Sequence, residues 1–181
     1  MPEPLVVVAV RQEATYLHDV DHVLTGIGKV SAATAVAAAI ADRRPSSVLN
    51  VGTAGALRDG LEGIHRVGRV LEHDVDKVLL GAMIGEELEE ELVLDPAEPI
   101  VLATGDVFIQ DPGVRLALAE RAHLVDMEGY AIARACAAMG VPCEIVKVVS
   151  DTADEDAARS WSEQMDELAR AIADVVADRF R

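Results

Sequence analysis

The stretch Ser47–Leu57, with the sequence SVLNVGTAGAL, decides the fold class. Its first part, Ser47–Val51, is short and mostly apolar, which predicts a strand buried inside a sheet. Its second part, Gly52–Gly55, predicts a tight turn, because glycine adopts backbone angles that other residues avoid. A buried strand that runs into a glycine turn is typical of α/β proteins.

The same succession of strand, turn and helix continues on both sides of this stretch. Further strands are predicted at Leu5–Val10, His22–Thr25, Ile64–Leu71, Pro99–Thr104 and Glu144–Val149. Helices are predicted at Lys29–Arg43, at Glu128–Met139 with Gly140 as its cap, and along the apolar stripe of Trp161, Met165, Leu168, Ile172, Val176 and Phe180. We therefore expect one α/β domain over residues 1–181, with a mostly parallel sheet between two layers of helices.

One segment, Lys77–Asp95, has an ambiguous pattern. It contains the acidic run Glu86–Glu91, which we interpret as the solvated face of a helix.

Composition narrows the classes of function. The 181 residues are 51% hydrophobic and carry a net charge of −16, so the chain can bury a core but would be repelled by nucleic acid and by anionic membrane surfaces. The longest uncharged stretch, Pro45–Leu57, is too short to cross a bilayer. The cysteines and histidines lack the spacing of a disulfide framework or a metal site. We expect a cytoplasmic protein without a secretory signal.

Acidic side chains stand where three predicted strands end. In open α/β sheets the ligand lies at the carboxyl ends of the strands, which makes Glu13, Glu128 and Asp151 candidates for a site. Each also has an ordinary explanation: Glu13 as a solvated side chain, Glu128 as a helix-dipole partner, and Asp151, with Ser150, as a helix N-cap. Taken singly, these interpretations stay open.

A dinucleotide cofactor is not expected. Gly26-Ile27-Gly28 resembles the start of the glycine fingerprint for such cofactors, but its third position is Ser31. The acidic residue expected at the end of the next strand is replaced by Asn50.

Five motifs occur in a fixed order along the chain. They are TGIGKVSAA at Thr25–Ala33, NVGTAGAL at Asn50–Leu57, GDVFI at Gly105–Ile109, VDMEGYA at Val125–Ala131 and VSDTAD at Val149–Asp154. Together they resemble the nucleoside phosphorylase superfamily, most closely its hydrolytic branch, the 5′-methylthioadenosine/S-adenosylhomocysteine nucleosidases. The resemblance implies a three-layer α/β/α fold with a mixed sheet. It also implies hydrolysis of a small purine nucleoside to free base and sugar, without a metal or cofactor.

The resemblance also implies the site residues. Glu13 would activate the attacking water, Asp151 would protonate the purine at N7, and Ser150 would support Asp151. Glu128 would accept the ribose hydroxyls. The other implied substrate-binding residues are Met127 against the sugar, Phe108 stacking on the base, Ile109 at the base edge, and Thr53 and Gly55 in the glycine turn.

Two alternatives stay open. A phosphorylase would place arginines around a phosphate, where this sequence has Glu13 and Asn50, although Arg11 lies nearby. The second alternative is a catalytically inactive nucleoside-binding protein. It is suggested by the segments before Gly26 and between Asp76 and Pro99, which are shorter than is usual in the family. In the family the second segment contributes to a homodimer contact and to the pocket for the 5′ substituent, so a homodimer is implied and the 5′ group stays open.

Overall fold

Strands and helices alternate along most of the chain in a computed structural model that describes residues 3–153 and 157–180. In chain order the elements are β1 (Leu5–Val8), β2 (His22–Leu24), α1 (Lys29–Arg43), β3 (Val48–Ala56), β4 (Ile64–Glu72), α2 (Lys77–Ile84), β5 (Glu91–Val93), β6 (Ile100–Thr104), α3 (Pro112–Ala119), β7 (Leu124–Asp126), α4 (Gly129–Met139), β8 (Cys143–Asp151) and α5 (Ala157–Arg179).

All eight of these strands pair into one mixed sheet. Its order is β2-β1-β3-β7-β6-β4-β5, and β8 pairs with both β3 and β4. Strand β1 is parallel to β2 and β3, β8 is parallel to β3, and β6 is parallel to β4 and β7. The antiparallel pairs are β3 with β7, β4 with β5 and β4 with β8. The predicted mostly parallel, mixed sheet is confirmed.

Strand β1 shows why helices cover both faces of the sheet. Its alternate residues Leu5 and Val7 pack with apolar residues of α1 and α4, while Val6 and Val8 pack with apolar residues of α5. Because successive side chains of a strand point to opposite faces, an all-apolar strand needs a cover on each side. The result is the expected three-layer α/β/α arrangement.

The prediction of a tight turn at Gly52–Gly55 is wrong. These residues belong to β3, which pairs with β8 from Val48 to Gly55 and has an irregularity between Ala54 and Gly55. The partner strand is distant in sequence, and its ladder of hydrogen bonds outweighs the turn preference of the glycines. Both strands therefore extend beyond their predicted ends and carry Thr53 and Asp151 to the rim of the sheet.

Glycines end two helices in the left-handed conformation. Gly140 (φ 69°) ends α4, as predicted, and Gly85 (φ 75°) ends α2. The acidic run that begins at Glu86 therefore lies beyond α2, and Glu91 is the first residue of β5. Its interpretation as a helix face is wrong, because Gly85 stops the helix first.

The apolar stripe of α5 divides into three parts. Leu168, Ile172 and Val176 are buried against the sheet, Phe180 is partly exposed, and Trp161 lies over the end of the sheet. Within residues 3–153 and 157–180, none of the helices is both long and apolar enough to traverse a membrane.

Candidate active site

A cavity of about 400 Å³ opens at the edge of the sheet where β1, β3, β7 and β8 end. Nine residues that the sequence singles out line this cavity: Glu13, Thr53, Gly55, Phe108, Ile109, Met127, Glu128, Ser150 and Asp151. Three carboxylates from separate strand ends thus share one space. Their individual roles stay predictions.

Glu13 lies in the segment after β1 and is only 2% exposed, so its interpretation as a solvated side chain is wrong. Its Oε1 accepts hydrogen bonds from the backbone N–H and the hydroxyl of Thr53, both at 2.7 Å. Its Oε2 accepts from the backbone N–H of Val10 at 3.3 Å. Gly52 leaves the room for this carboxylate, since a Cβ there would lie 3.2 Å from Oε1. One oxygen is therefore anchored more firmly than the other.

Asp151 is the last residue of β8, and Ser150 precedes it within the strand, so neither caps α5. The hydroxyl of Ser150 donates to Asp151 Oδ2 at 2.6 Å, and the backbone N–H of Ala153 donates to Oδ1 at 2.8 Å. Gly55 permits this close approach, because a Cβ there would lie 2.9 Å from Asp151 Oδ1. The carboxyl group is held in a fixed orientation at the cavity wall.

Asp126 and Glu128, which lie just before α4, make different contacts. Asp126 accepts from the backbone N–H of Gly129 at 2.9 Å and so caps the helix, whereas Glu128 makes no side-chain cap. Glu128 instead accepts from the backbone N–H of Gly28, in the loop before α1, at 2.9 Å. Burial, together with the nearby Asp126 carboxylate, raises the pKa of Glu128 to about 7. The helix-dipole explanation does not account for this side chain.

Lys147 supplies positive charge beneath the carboxylates. Its ammonium lies 2.9 Å from Asp126 Oδ2, and both side chains are almost fully buried. Burial opposes the charged form of Lys147, but the Asp126 and Glu128 carboxylates outweigh burial and raise the pKa of the ammonium. Four carboxyl groups and one ammonium group line the described cavity, so its electrostatics favour a cation over an anion.

Lys29 holds the rim of the cavity together. Its ammonium lies 2.6 Å from Glu72 Oε1 and 2.5 Å from Asp74 Oδ1, and its backbone N–H donates to Asp106 Oδ1 at 2.7 Å. These contacts join the Gly28 loop to the loop that carries Phe108. Phe108 is 44% exposed at the cavity mouth, where its ring offers a flat apolar surface to a ligand.

Two lining residues, Lys147 and Trp161, escape the sequence reasoning. Lys147 stands among the apolar residues of β8, and a charged residue in so apolar a strand is the signal that could reveal it. Trp161 fits the apolar period of α5, so nothing in the pattern separates it from core residues. Its indole N–H donates to the Thr53 hydroxyl at 3.0 Å.

Residues 15–71 and 63–180 match the model of a family described as the Phosphorylase superfamily. The chain belongs to this superfamily. This match confirms the predicted membership in the nucleoside phosphorylase superfamily.

A 5′-methylthioadenosine/S-adenosylhomocysteine nucleosidase from Geobacillus kaustophilus is 32% identical over 180 residues, with 84% of this chain and 75% of the relative covered. For another relative of the same name the match spans 66% of the relative's length, just under two thirds. The crystal structure of a nucleosidase of this name from Neisseria meningitidis, in complex with methylthio-immucillin-A, has a TM-score of 0.86 at 26% identity, with 98% of this chain and 97% of that chain covered. These relatives are hydrolases by name.

A second solved structure carries a different name on the same fold. The futalosine hydrolase of Helicobacter pylori has a TM-score of 0.86 at 22% identity, with 97% of this chain and 96% of that chain covered. The superfamily protein therefore shares its whole architecture with enzymes named for different nucleosides, and the fold alone does not select the substrate.

The part of this phosphorylase-superfamily chain that the structure describes contains no cluster of metal ligands. Within residues 3–153 and 157–180, no three histidine, cysteine, aspartate or glutamate side chains are grouped to hold a metal ion.

Proposed function

We propose that the protein hydrolyses the N-glycosidic bond of a purine nucleoside, releasing the free base and the sugar. The observation that carries this proposal is the convergence of Glu13, Glu128 and Asp151 on one cavity. Its hydrolase relatives support the reaction class.

Asp151 acts as the general acid. When the bond between C1′ and N9 breaks, both electrons stay with the purine, and a proton from Asp151 to N7 neutralises the negative charge that develops there. Such a positioned acid contributes about 10² to 10⁴ in rate. The Ser150 hydroxyl, which donates to Asp151 Oδ2, keeps the carboxyl group turned towards the base. A pyrimidine nucleoside has no N7 and is not a substrate.

Glu13 and Glu128 act on the sugar. Glu13 takes a proton from water while the water oxygen forms the new bond to C1′. Proton exchange with solvent then returns Glu13 to the carboxylate and Asp151 to the acid, so that the net reaction adds OH to the sugar and H to the base. Glu128 accepts hydrogen bonds from the ribose hydroxyls and stabilises the positive charge that develops on the sugar ring. Met127 packs against the sugar and Phe108 stacks on the base, with Ile109 at the base edge.

Charge favours water over phosphate as the nucleophile. Glu13 occupies the floor of the cavity beside Thr53, and a phosphate in this position would meet its carboxylate. Lys147, the one cation among the described lining residues, is already paired with Asp126. A dianion brought close to a buried carboxylate is repelled by several kcal/mol.

The proposed substrates are 5′-methylthioadenosine and S-adenosylhomocysteine, the nucleosides for which the relatives are named. The test uses the purified chain in phosphate-free buffer with nucleosides that differ only at the 5′ position, and free base is quantified by chromatography. We expect free base without added phosphate, at a rate that about 10 mM phosphate, ample against typical KM values, leaves unchanged. Base released only with phosphate would identify a phosphorylase, and tight binding without product would identify an inactive binding protein.

We also propose that the protein is a cytoplasmic homodimer that associates through α2. Leu79 and Met83 lie four residues apart on this helix and are 56% and 73% exposed, which leaves an apolar face uncovered. Both cysteines are free thiols, as is usual in reducing compartments.

The double substitution Leu79→Glu/Met83→Glu is expected to convert dimers into monomers, because it places charges inside the apolar contact. Sedimentation velocity at micromolar concentration measures the change. Phe180→Glu, at a half-exposed apolar site directly after α5, is the matched control and keeps the dimer. A wild-type chain that sediments as a monomer would refute the proposal.

A further inference from the structure

Trp161 is set apart from the rest of the α5 stripe by a polar contact inside the cavity. The ring is only partly buried, and its Nε1–H donates to Thr53 Oγ1 at 3.0 Å. The next residues of the stripe, such as Leu168 and Ile172, pack into the apolar core. A buried indole N–H usually has a hydrogen-bond partner, and here that partner is a hydroxyl that itself contacts the Glu13 carboxylate.

The contact with Trp161 fixes the direction of the Thr53 hydroxyl. A hydroxyl group has a single proton to donate and two lone pairs that accept. The indole N–H can only donate, so it occupies one lone pair of Thr53 Oγ1. The proton of Thr53 is then left to point at Glu13 Oε1, 2.7 Å away. The three side chains form a directed relay, from indole to hydroxyl to carboxylate.

The relay makes the two oxygens of Glu13 unequal. Oε1 receives the Thr53 hydroxyl and the Thr53 backbone N–H, both at 2.7 Å, whereas Oε2 has a weaker contact at 3.3 Å with Val10 N–H. Donors on one oxygen hold the plane of the carboxylate, and they leave Oε2 to receive a proton from water.

We propose that Trp161 is a positioning residue that acts through the Thr53 hydroxyl to hold the Glu13 carboxylate in the orientation that water activation needs. This inference rests on the proposed hydrolase function. Trp161 does not touch the reacting atoms in this role. The other charged groups that face Glu13 are Lys147 on β8 and Glu128 before α4, and they stay in place when Trp161 is changed.

The test is a double-mutant cycle on kcat at saturating substrate. Trp161→Phe keeps an aromatic ring but removes the N–H, and Thr53→Val keeps the shape but removes the hydroxyl. With Thr53 present, Trp161→Phe is expected to lower kcat about fivefold, the usual effect of losing one hydrogen bond. In the Thr53→Val background the same change is expected to alter kcat by less than about twofold, because the relay is already broken. A Thr53→Ser background retains a hydroxyl and restores the fivefold effect.

The comparison of kcat with KM separates this role from a structural one. Trp161→Phe is expected to lower kcat while KM changes by less than about twofold, because the ring that lines the cavity is kept and only the orientation of Glu13 is lost. Tyr16→Phe is the matched control, since Tyr16 ties the Glu13 segment to α5 through Asp166 at 2.6 Å without joining the relay. That control is expected to leave kcat nearly unchanged.

Equal losses of kcat in the wild-type and Thr53→Val backgrounds, or a rise in KM as large as the fall in kcat, would overturn the inference while the hydrolase function stands. Absence of any base release by the wild-type chain would overturn both. Thermal unfolding of every variant shows whether it is folded, and Thr53→Ser with and without Trp161→Phe decides the matter if Thr53→Val unfolds.

Discussion

Asp151→Asn is expected to lower kcat by about 10³-fold and to leave substrate binding nearly unchanged. The asparagine amide has the size and shape of the carboxyl group and can still accept from the backbone N–H of Ala153, which donates to Asp151 Oδ1 at 2.8 Å. It has no proton acidic enough to give to N7. The purine must then leave with its full negative charge, and the barrier to bond cleavage rises accordingly.

Two measurements separate chemistry from binding in this variant. Turnover is followed as free base released, and binding is followed through the emission of Trp161, the only tryptophan of the chain, which lines the cavity. Ser150→Ala is the matched control: it keeps the acid but removes the hydroxyl that donates to Asp151 Oδ2, and it is expected to cost about tenfold in kcat. Near-normal turnover by Asp151→Asn would exclude Asp151 as the acid.

The sequence reveals those parts of the fold that local pattern controls. The valine-rich run of β1 predicts a strand covered on both faces, and the opposite-facing side chains of Val6 and Val7 are both covered. The carboxyl-end rule also brings Glu13 and Asp151 to one edge, because β1 and β8 both run parallel to β3. These inferences need no knowledge of distant partners. Glu128 reaches the same cavity from β7, which runs antiparallel to β3, so its place depends on a pairing that the rule does not predict.

Distant pairings account for what the sequence conceals. Gly52 and Gly55 favour a turn locally, yet the ladder with β8 keeps them in a strand, where they admit the Glu13 and Asp151 carboxylates. Lys147 is buried only because Asp126, on a different strand, neutralises it. Trp161 fits the helical spacing of the core residues of α5, but the start of this helix lies over the cavity, and so Trp161 lines the cavity instead. Neighbours in the chain do not show these distant contacts; of the three cases, Lys147 alone gives a local signal, as a charge in an apolar strand.

Glu128→Gln is expected to lower kcat/KM by about 10²-fold or more at pH 8, because a neutral amide stabilises a cationic sugar less than a carboxylate does. The pH dependence of kcat/KM in the wild type is also expected to show the ionisation of this residue. The pKa of Glu128 is raised to about 7, so protonation removes its charge as the pH falls below about 7. Since kcat/KM reports on the free enzyme, it is expected to fall below that pH in the wild type. In Glu128→Gln this limb is expected to disappear.

Ionisation of Glu128 is expected to raise activity but to lower the stability of the fold. A carboxyl group whose pKa is higher in the folded state than in the unfolded chain binds more protons when folded, so the free energy of unfolding falls as the pH rises from about 4.5 to about 7. Glu128→Gln removes this effect and is expected to unfold at a higher temperature than wild type at pH 8, with little difference at pH 4. The gain at pH 8 is bounded at about 3 kcal/mol by the size of the shift.

Asp126→Asn is the matched comparison for Glu128→Gln, because it also neutralises a buried carboxylate of the same cluster. Asp126 caps α4 through Gly129 N–H and pairs with Lys147 at 2.9 Å, so its replacement is expected to destabilise the fold at pH 8. Opposite shifts in melting temperature for the two substitutions would show that Asp126 holds the site together while Glu128 is kept charged at a cost in stability. A Glu128→Gln variant that is less stable than wild type at pH 8, or that retains the acid limb, would refute this account.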